Sequence, residues 1–188
     1  DKASGREITS PNGSLNAFYI AEDIPARSDN WDINRDYLLK IKPDQRMVKH
    51  SVVADGPLQL RIRSQYKIGD NSNLTQDMIL HSTTARVDFE TIVDWNETHK
   101  LLKVGFDLDI LTSFARHEIQ FGHIDRPTHQ NLAEDKQKYE VCAHKWTDVS
   151  ENDFGVALLN DCKYGISTQS GRVSLTLLKS GTHPDTRG

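Results

Sequence analysis

The segment KLLKVGFDLDI, residues 100–110, alternates between apolar and polar side chains. One side of an extended chain would carry the apolar residues Leu102, Val104, Phe106, Leu108 and Ile110. The other side would carry Lys103, Asp107 and Asp109. Because side chains of a strand point alternately to opposite faces, this period of two is typical of a half-buried β-strand. The segment therefore predicts a strand that packs one face against a core.

The same alternation recurs through most of the chain. Five further segments show it: PLQLRIRSQY (57–66), RVDFETIVDW (86–95), HEIQFGH (117–123), YEVCAHKW (139–146) and RVSLTLLKS (172–180). The segment DFGVALLND (153–161) is instead apolar on both faces, which is typical of a central strand. We therefore expect a series of strands, with residues 153–161 in the interior of a sheet.

Turn signals separate these segments at intervals of about 8–14 residues, a spacing that suits antiparallel strands better than alternating strands and helices. The turns are rich in Gly, Asn, Asp and Pro, as in ADGP, GDNSN and DRPTHQN. No segment has a convincing amphipathic helical pattern. The predicted fold class is therefore all-β: a large, twisted antiparallel β-sandwich with little or no helix.

Residues 1–45 differ from the remainder because EDIPARSDNWDINRDYLLKIK (22–42) mixes acidic residues, a proline and aromatics with little alternation. We predict that residues 1–45 form a connector with the first strand or strands, packed on a sandwich made by residues 46–188. The chain starts with Asp1 rather than Met and stops in the turn-like THPDTRG. From these two ends we expect a fragment of a longer protein.

Composition narrows the classes of function. The 188 residues carry a net charge of −4 and no face rich in Lys and Arg, so no nucleic acid partner is expected. No apolar run approaches the roughly 20 residues that span a bilayer, so no membrane partner is expected either. The spacing of Cys142 and Cys162 does not require a disulfide. We expect two buried free thiols, with a disulfide as the alternative.

The segment GHIDRPTH, residues 122–129, has the composition of a metal site, with two histidines and an aspartate. In a strand, His123 and Asp125 would share a face with Cα atoms roughly 6–7 Å apart, and His129 would lie roughly 13 Å beyond Asp125. A catalytic zinc site needs three protein ligands. Because Pro127 cannot donate to a strand ladder, a polar strand end explains the segment better, and no metal site is predicted here.

Other catalytic motifs are not found in the sequence. There is no nucleophile elbow, phosphate loop or dinucleotide fingerprint, and no pair of carboxylates can be chosen from spacing alone. Trp31 stands out because it lies in an irregular acidic stretch between Asp29 and Asp32. An aromatic ring against C–H faces, with carboxylates accepting from hydroxyls, is suited to holding a sugar. For Trp31 taken alone, the favoured alternative is a buried tryptophan that fixes a loop, and Trp95 and Trp146 are also predicted to be structural.

Four segments resemble the C-terminal β region of the glycoside hydrolase family 38 α-mannosidases: HKLLKVGFDLDI, EIQFGHIDRPTH, YEVCAHKWTDVSENDFGVALLNDCKYGIS and RVSLTLLKSGTHPD. The stretch EDIPARSDNWDI resembles a Glu-Asp-x-Pro…Asp-Ala-Trp-Asp-Ile pattern of the same family. The similarity covers nearly the whole chain and is nearest to the branch that is cytosolic in animals, vacuolar in fungi and widespread in bacteria. Two departures are Asn30, where the pattern has Ala, and the lack of a Thr-Ser-Trp-Asp run after Asn131.

This resemblance implies a galactose-mutarotase-like supersandwich that is part of a retaining α-mannosidase, an enzyme that hydrolyses terminal α-mannosyl residues of oligosaccharides and of glycans derived from N-glycans. It implies that an Asp nucleophile, an acid/base carboxylate and zinc belong to an N-terminal α/β barrel, which a helical bundle follows. The present chain is then expected to hold no catalytic residue and no zinc, and to be inactive alone, since HIDRPTH does not match the family's zinc motif.

The resemblance also implies partners and a compartment. The expected partners are the catalytic barrel and helical domain of the same chain and a mannose-containing oligosaccharide, with a homo-oligomer left open. The expected compartment is the cytoplasm, or the vacuole in a fungus.

Two irregular segments are predicted to lie near the sugar, because they place charged residues in an otherwise regular β fold. One is DNWDI, with Asp29, Trp31 and Asp32; the other is the terminal PDTRG, with Asp185 and Arg187. Two other interpretations of the chain remain open at this point: a free-standing carbohydrate-binding module and a scaffold for oligomerisation.

Overall fold

A computed structural model describes residues 1–2 and 4–182 of the chain. These residues form fourteen strands: β1 (Ala17–Glu22), β2 (Lys42–Pro43), β3 (Arg46–Asp55), β4 (Gln59–Ile68), β5 (Ser72–His81), β6 (Val87–Asp94), β7 (Lys100–Asp107), β8 (Phe114–Ile119), β9 (Gly122–Pro127), β10 (Val141–Cys142), β11 (Trp146–Ser150), β12 (Gly155–Leu159), β13 (Gly165–Gln169) and β14 (Arg172–Lys179). The described part also contains a one-turn helix, α1 (Tyr37–Lys40), and a 3₁₀ turn at Asp135–Gln137. None of its helices is both long and apolar enough to cross a bilayer.

The strands form three antiparallel sheets. Sheet I has the order β10-β13-β14-β7-β1-β2, sheet II has the order β12-β11-β8-β9, and sheet III has the order β3-β4-β5-β6. Strand β7, from the alternating segment 100–110, lies in the interior of sheet I between β14 and β1, and is antiparallel to both. The predicted all-β class with antiparallel sheets is therefore confirmed.

The main core lies where sheets II and III pack on one face of sheet I. Because alternate residues of each strand point to this face, apolar side chains from all three sheets meet there. Its buried members include Phe18, Ile20, Leu102 and Val104 from sheet I, Ala115 and Val149 from sheet II, and Ile68 and Leu74 from sheet III. The segment 100–110 thus packs against the core through the face that its sequence pattern predicts.

The other face of sheet I packs against the connector, residues 1–45, and is therefore not left open to solvent. Tyr37 in α1 packs there with Ala21 and Leu101. Lys103 points to the same side, and its side chain is only 1% exposed. Its Nζ donates to both carboxylate oxygens of Glu140, at 2.7 and 2.6 Å, and to Thr176 Oγ1 at 2.8 Å. Burial lowers the pKa of the Lys103 amine, and the Glu140 carboxylate opposes that shift.

Several expectations from the sequence are wrong, among them that residues 139–146 form one strand, since only Val141–Cys142 and Trp146 lie in strands. Within the described residues β12 pairs with β11 alone at the edge of sheet II, and Leu159 is exposed, so residues 153–161 are not a central strand. Cys142 and Cys162 are free but exposed rather than buried. The segment 117–123 is not one strand but the turn of the β8–β9 hairpin, where Phe121 adopts a φ of 62°. The pattern of apolar residues therefore did not predict which of these side chains are buried or where the turn lies.

Candidate functional site

Three chain segments converge at the beginning of β7. In sheet I, Glu22 at the end of β1 pairs with Lys100, and Lys179 at the end of β14 pairs with Leu101. The loop after β1, the loop before β7 and the tail after β14 therefore leave the sheet at one place. They enclose an open cleft with a volume of about 510 Å³, lined by residues 24–29 together with His99 and Thr182.

Asp29 joins the loop after β1 to the tail after β14. It is 8% exposed. Its Oδ2 accepts hydrogen bonds from the Thr182 backbone N at 2.8 Å and from Thr182 Oγ1 at 3.2 Å. His99 Nδ1 lies 4.0 Å from the same oxygen. A carboxylate that accepts two hydrogen bonds holds its donors more firmly than a neutral acceptor would, so Asp29 fixes one wall of the cleft.

Lys179 provides a second link across the same convergence. Its Nζ lies 3.0 Å from Oδ2 of Asp23, whose side chain is 2% exposed. The same amine donates to the backbone carbonyl of Asp32. The backbone ladder also continues past the strand ends, because His99 N donates to the Ser180 carbonyl at 3.2 Å and Ser180 N to the Lys100 carbonyl at 3.0 Å. The cleft is therefore built from well-connected backbone.

Trp31 and Asp32 lie on the outer surface of the loop that carries Asp29. The backbone N–H groups of both residues donate to the Ser28 carbonyl, at 2.8 and 3.0 Å, which makes a compact turn. Trp31 is 71% exposed, so the alternative of a buried tryptophan that fixes the loop is wrong. Asp32 is exposed as well, and its Oδ1 accepts from Ile33 N at 2.9 Å. The structure thus places Asp29 in the cleft wall and the other two beside it.

Other residues of the site fall outside these predictions. Asp185 and Arg187 lie outside the described residues, directly after the tail that Asp29 holds. His99, Thr182, Asp23 and Lys179 were not predicted. Each is an ordinary turn or strand-end residue in the sequence, and only the pairing of β1 and β14 with β7 brings them together. A prediction of that strand order would have been the signal that finds them.

The segment GHIDRPTH behaves as a strand end. His123 and Asp125 lie in β9, and Asp125 is paired with Arg116, with Oδ–N distances of 2.7 and 2.9 Å. The hydrogen bond from Arg116 lowers the pKa of the Asp125 carboxyl. His129 follows in the next turn, where its Nδ1 lies 3.6 Å from Asp135 Oδ2. Residues 122–127 thus form the whole of β9, which ends at Pro127, and His129 lies in the turn after it.

The chemistry that these side chains offer is limited. Among residues 1–2 and 4–182, no three His, Cys, Asp or Glu side chains come together in a group that could hold a metal ion. The described lining of the cleft holds one carboxylate, Asp29, and glycoside hydrolysis needs a pair. Together, fold and cleft define the class as a β-sandwich domain with a loop-built cleft that lacks a complete hydrolytic pair of its own in the described part.

Comparison with known proteins identifies the family. Residues 1–187 match the model described as the glycosyl hydrolases family 38 C-terminal domain, so the chain belongs to this family. It is 43% identical over 192 residues to alpha-mannosidase G of Dictyostelium discoideum, covering 98% of this chain and 17% of that protein. It is 41% identical to alpha-mannosidase 2C1 of Homo sapiens, covering 97% and 18%. With the alpha-mannosidase of Saccharomyces cerevisiae it shares 36% identity, covering 90% and 16%.

Solved structures support the fold. The crystal structure of an alpha-mannosidase from Enterococcus faecalis V583 superposes with a TM-score of 0.78 at 13% identity, covering 96% of this chain and 23% of that one. A second family 38 protein from Enterococcus faecalis gives a TM-score of 0.77 at 12% identity, covering 96% and 24%. The chain therefore spans less than a quarter of these proteins, and less than a fifth of its curated relatives.

Proposed function

We propose that this chain is the non-catalytic C-terminal β domain of a retaining, zinc-dependent α-mannosidase, one that hydrolyses terminal α-mannosyl residues of oligosaccharides and of glycans derived from N-glycans. The main support is that relatives named as α-mannosidases share 36–43% identity with nearly the whole chain. The single carboxylate in the described cleft lining agrees with a catalytic centre that lies elsewhere in the longer protein. The domain would support an N-terminal catalytic barrel and helical domain, and its loops would form part of the sugar pocket.

The cleft loop is the part that we propose to face the sugar. Trp31 presents an exposed ring that can pack against the C–H face of a mannose, and the exposed Asp32 carboxylate can accept from hydroxyl groups. Asp29 is a positioning residue, because its Oδ2 is already engaged by Thr182.

The zinc ion of the proposed enzyme belongs to the region outside this chain. The described residues do not fit a zinc site, because His123, Asp125 and His129 are divided between a strand and a turn, and Asp125 is paired with Arg116. We propose a cytoplasmic enzyme, or a vacuolar one in a fungus, from the branch that the sequence resembles. Immunoblotting of cytosolic and vacuolar fractions for the full-length protein tests this location.

Activity measurements test the central proposal. The full-length enzyme that contains this chain should hydrolyse an aryl α-mannoside, release product with retained configuration and lose activity on chelation. The isolated 188 residues should show no hydrolysis with or without added zinc. Hydrolysis by the isolated chain, checked against a mock purification, would contradict the non-catalytic role.

A free-standing carbohydrate-binding module is the second candidate, favoured by the exposed ring of Trp31. It predicts saturable heat when mannose or manno-oligosaccharide is titrated into the isolated chain, and loss of that heat in Trp31→Ala. A domain that only lines a pocket should give no measurable heat in this titration, because most of the sugar contacts would lie in the missing region.

A further inference from the structure

The inner face of sheet III carries apolar side chains at both ends, with a polar row between them, and sheet I covers mainly one end. At the covered end, Ile68 and Leu74 are 0% and 1% exposed, and Tyr66 and Val93 pack beside them in the main core. Strands β4 and β5 are each ten residues long, which corresponds to about 33 Å of extended chain. Half of this face therefore continues beyond its cover.

A polar row marks the limit of the covered end. Ser64, Gln76 and Thr91 are paired across β4, β5 and β6. Gln76 exchanges hydrogen bonds with Asn16, in the chain before β1, and donates to Thr91 Oγ1 at 2.9 Å. The apolar surface beyond this row is here named the distal apolar face. It consists of Val52, Leu60, Ile62, Met78, Leu80, Val87 and Phe89, together with Leu58 just before β4, whose carbonyl extends the β4–β5 ladder by accepting from Ser82 N at 3.0 Å.

The distal apolar face is contiguous rather than scattered. Ile62, Met78 and Phe89 form one cross-strand row, and Leu60, Leu80 and Val87 form the next. Residues directly opposite in antiparallel strands have Cβ atoms about 4.5–5.5 Å apart, so these side chains touch. The edges of the face are open to solvent: Leu58 is 75%, Val52 58%, Val87 38% and Leu80 36% exposed.

The reverse side of the same strands is mainly charged, although it also holds the buried Ile79 and the exposed Ile92. Arg61 and Arg63 are paired there with Asp77, at 3.0 and 2.7 Å, and Arg61 also with Glu90 at 2.6 Å. Single exposed apolar residues are common on soluble proteins, but a large contiguous patch marks a surface that another surface covers. The difference between the two sides assigns the distal apolar face to an interface.

We propose that the distal apolar face packs against the region that precedes this domain in the longer α-mannosidase chain. This inference rests on the proposed function. The family model describes a C-terminal domain, and the chain covers only 16–18% of its curated relatives, so most of a full-length chain is available on the N-terminal side. The face is also continuous with the core, since the rings of Phe89 and Phe106 are 6.0 Å apart between their centroids.

A second copy that added a strand to the β3 edge of sheet III is disfavoured. The neighbouring edge strand β3 has register shifts between Met47 and Lys49 and between Val52 and Ala54. Such bulges twist an edge and discourage pairing with another edge strand. The surface that covers the face should itself be apolar, because no ionised side chain belongs to the two rows.

Thiol labelling of the full-length enzyme tests the docking. Leu58→Cys lies on the distal apolar face, and Ile92→Cys lies on the reverse side, where Ile92 is 74% exposed against 75% for Leu58. The two positions are therefore matched in exposure within this domain. Maleimide adducts at each position are counted by peptide mass mapping, and Val87→Cys repeats the measurement if Leu58→Cys fails to fold. We expect labelling at position 58 to be about ten-fold slower than at position 92, since a covered thiol reacts only through local opening.

Equal labelling rates at positions 58 and 92 would overturn the inference. Sedimentation velocity on the same samples identifies the occupant: slow labelling in a monomer supports the N-terminal region, and slow labelling confined to a dimer overturns it in favour of a second copy. Hydrolysis of an aryl α-mannoside by the same preparation reports separately on the proposed function. An inactive enzyme with a protected position 58 would therefore count against that function and not against the docking.

Discussion

Asp29 Oδ2 accepts hydrogen bonds from both the backbone N and the hydroxyl of Thr182, at 2.8 and 3.2 Å, across 153 positions of sequence. No local pattern in the sequence predicts this contact. It exists because the strands that precede these two residues are both neighbours of β7. The consequence is that the loop after β1 and the start of the tail after β14 share one attachment point.

Breaking this contact should lower activity because the cleft wall loses its position, not because a reacting group is lost. In the full-length enzyme, Asp29→Ala removes both hydrogen bonds and should reduce kcat/KM for an aryl α-mannoside by about 3–10-fold, since a lost hydrogen bond to a carboxylate is worth roughly 1 kcal/mol or more. Thr182→Val removes only the hydroxyl donor, keeps the backbone N–H donor and should reduce kcat/KM less. The double variant should lose no more than Asp29→Ala alone, because Asp29→Ala already removes the hydrogen bond that Thr182→Val deletes. Independent, multiplying losses would show that the contact does not position the segment.

The exposed side chains of the cleft loop should act on the substrate without acting on stability. Trp31→Ala and Asp32→Asn should lower kcat/KM of the full-length enzyme while its melting temperature stays within about 1 °C, because exposed substitutions usually change stability little. Leu39→Ala is the matched control, since Leu39 is 89% exposed in the same connector. Unchanged activity in both loop variants at unchanged melting temperature would remove them from the sugar pocket.

The buried pair on the covered side of sheet I should be strongly coupled. Glu140→Gln leaves the Lys103 amine, 1% exposed, without its carboxylate, and this should destabilise the protein by about 3–5 kcal/mol. Lys103→Met together with Glu140→Gln should recover much of that loss, because no buried charge then lacks a counter-ion. Urea unfolding of the single and double variants measures the coupling. An additive double variant would mean that the ion pair is not the reason for the loss.

Acid should remove a stabilising contribution from sheet III. Hydrogen bonds from Arg63 and Arg61 lower the pKa of Asp77 to about 2, even though burial opposes the shift. Since the folded pKa lies below the unfolded value of about 3.9, the contribution is complete above that pH and is lost as pH falls toward 2. Asp77→Asn should therefore show a smaller loss of melting temperature between pH 4 and about 2 than wild type. Asp55→Asn, at the exposed end of β3, serves as the control and should follow the wild-type slope.

Most strands could be predicted from the sequence because burial on one side of an antiparallel sheet leaves a period of two. This alternation does not reveal burial where a strand is covered by a loop or a short helix rather than by another sheet. Lys103 has the pattern of a solvated strand residue but is buried under the connector by Tyr37 and Glu140. Leu159 has the pattern of a buried residue but lies exposed on an edge strand. Periodicity identifies which side chains share a face, and it does not say what lies on that face.

The site was predicted less completely than the fold. Asp29, Trp31 and Asp32 could be nominated because charges and an aromatic ring are unusual in an irregular segment. The sequence could not predict that Asp29 is buried whereas Trp31 and Asp32 are exposed. This difference depends on Thr182 and Lys179, which come from the other end of the chain. Strand order, rather than composition, decides which of several polar loop residues becomes buried.

The meeting of three segments at the first residues of β7 also determines how the cleft can respond to a ligand. Glu22, Lys100 and Lys179 all belong to the hydrogen-bonded ladder of sheet I. This wall therefore cannot move as a lid unless hydrogen bonds in the middle of that sheet break. It is a fixed jaw. In the proposed enzyme, any closing movement around a bound sugar would have to come from another part of the full-length protein.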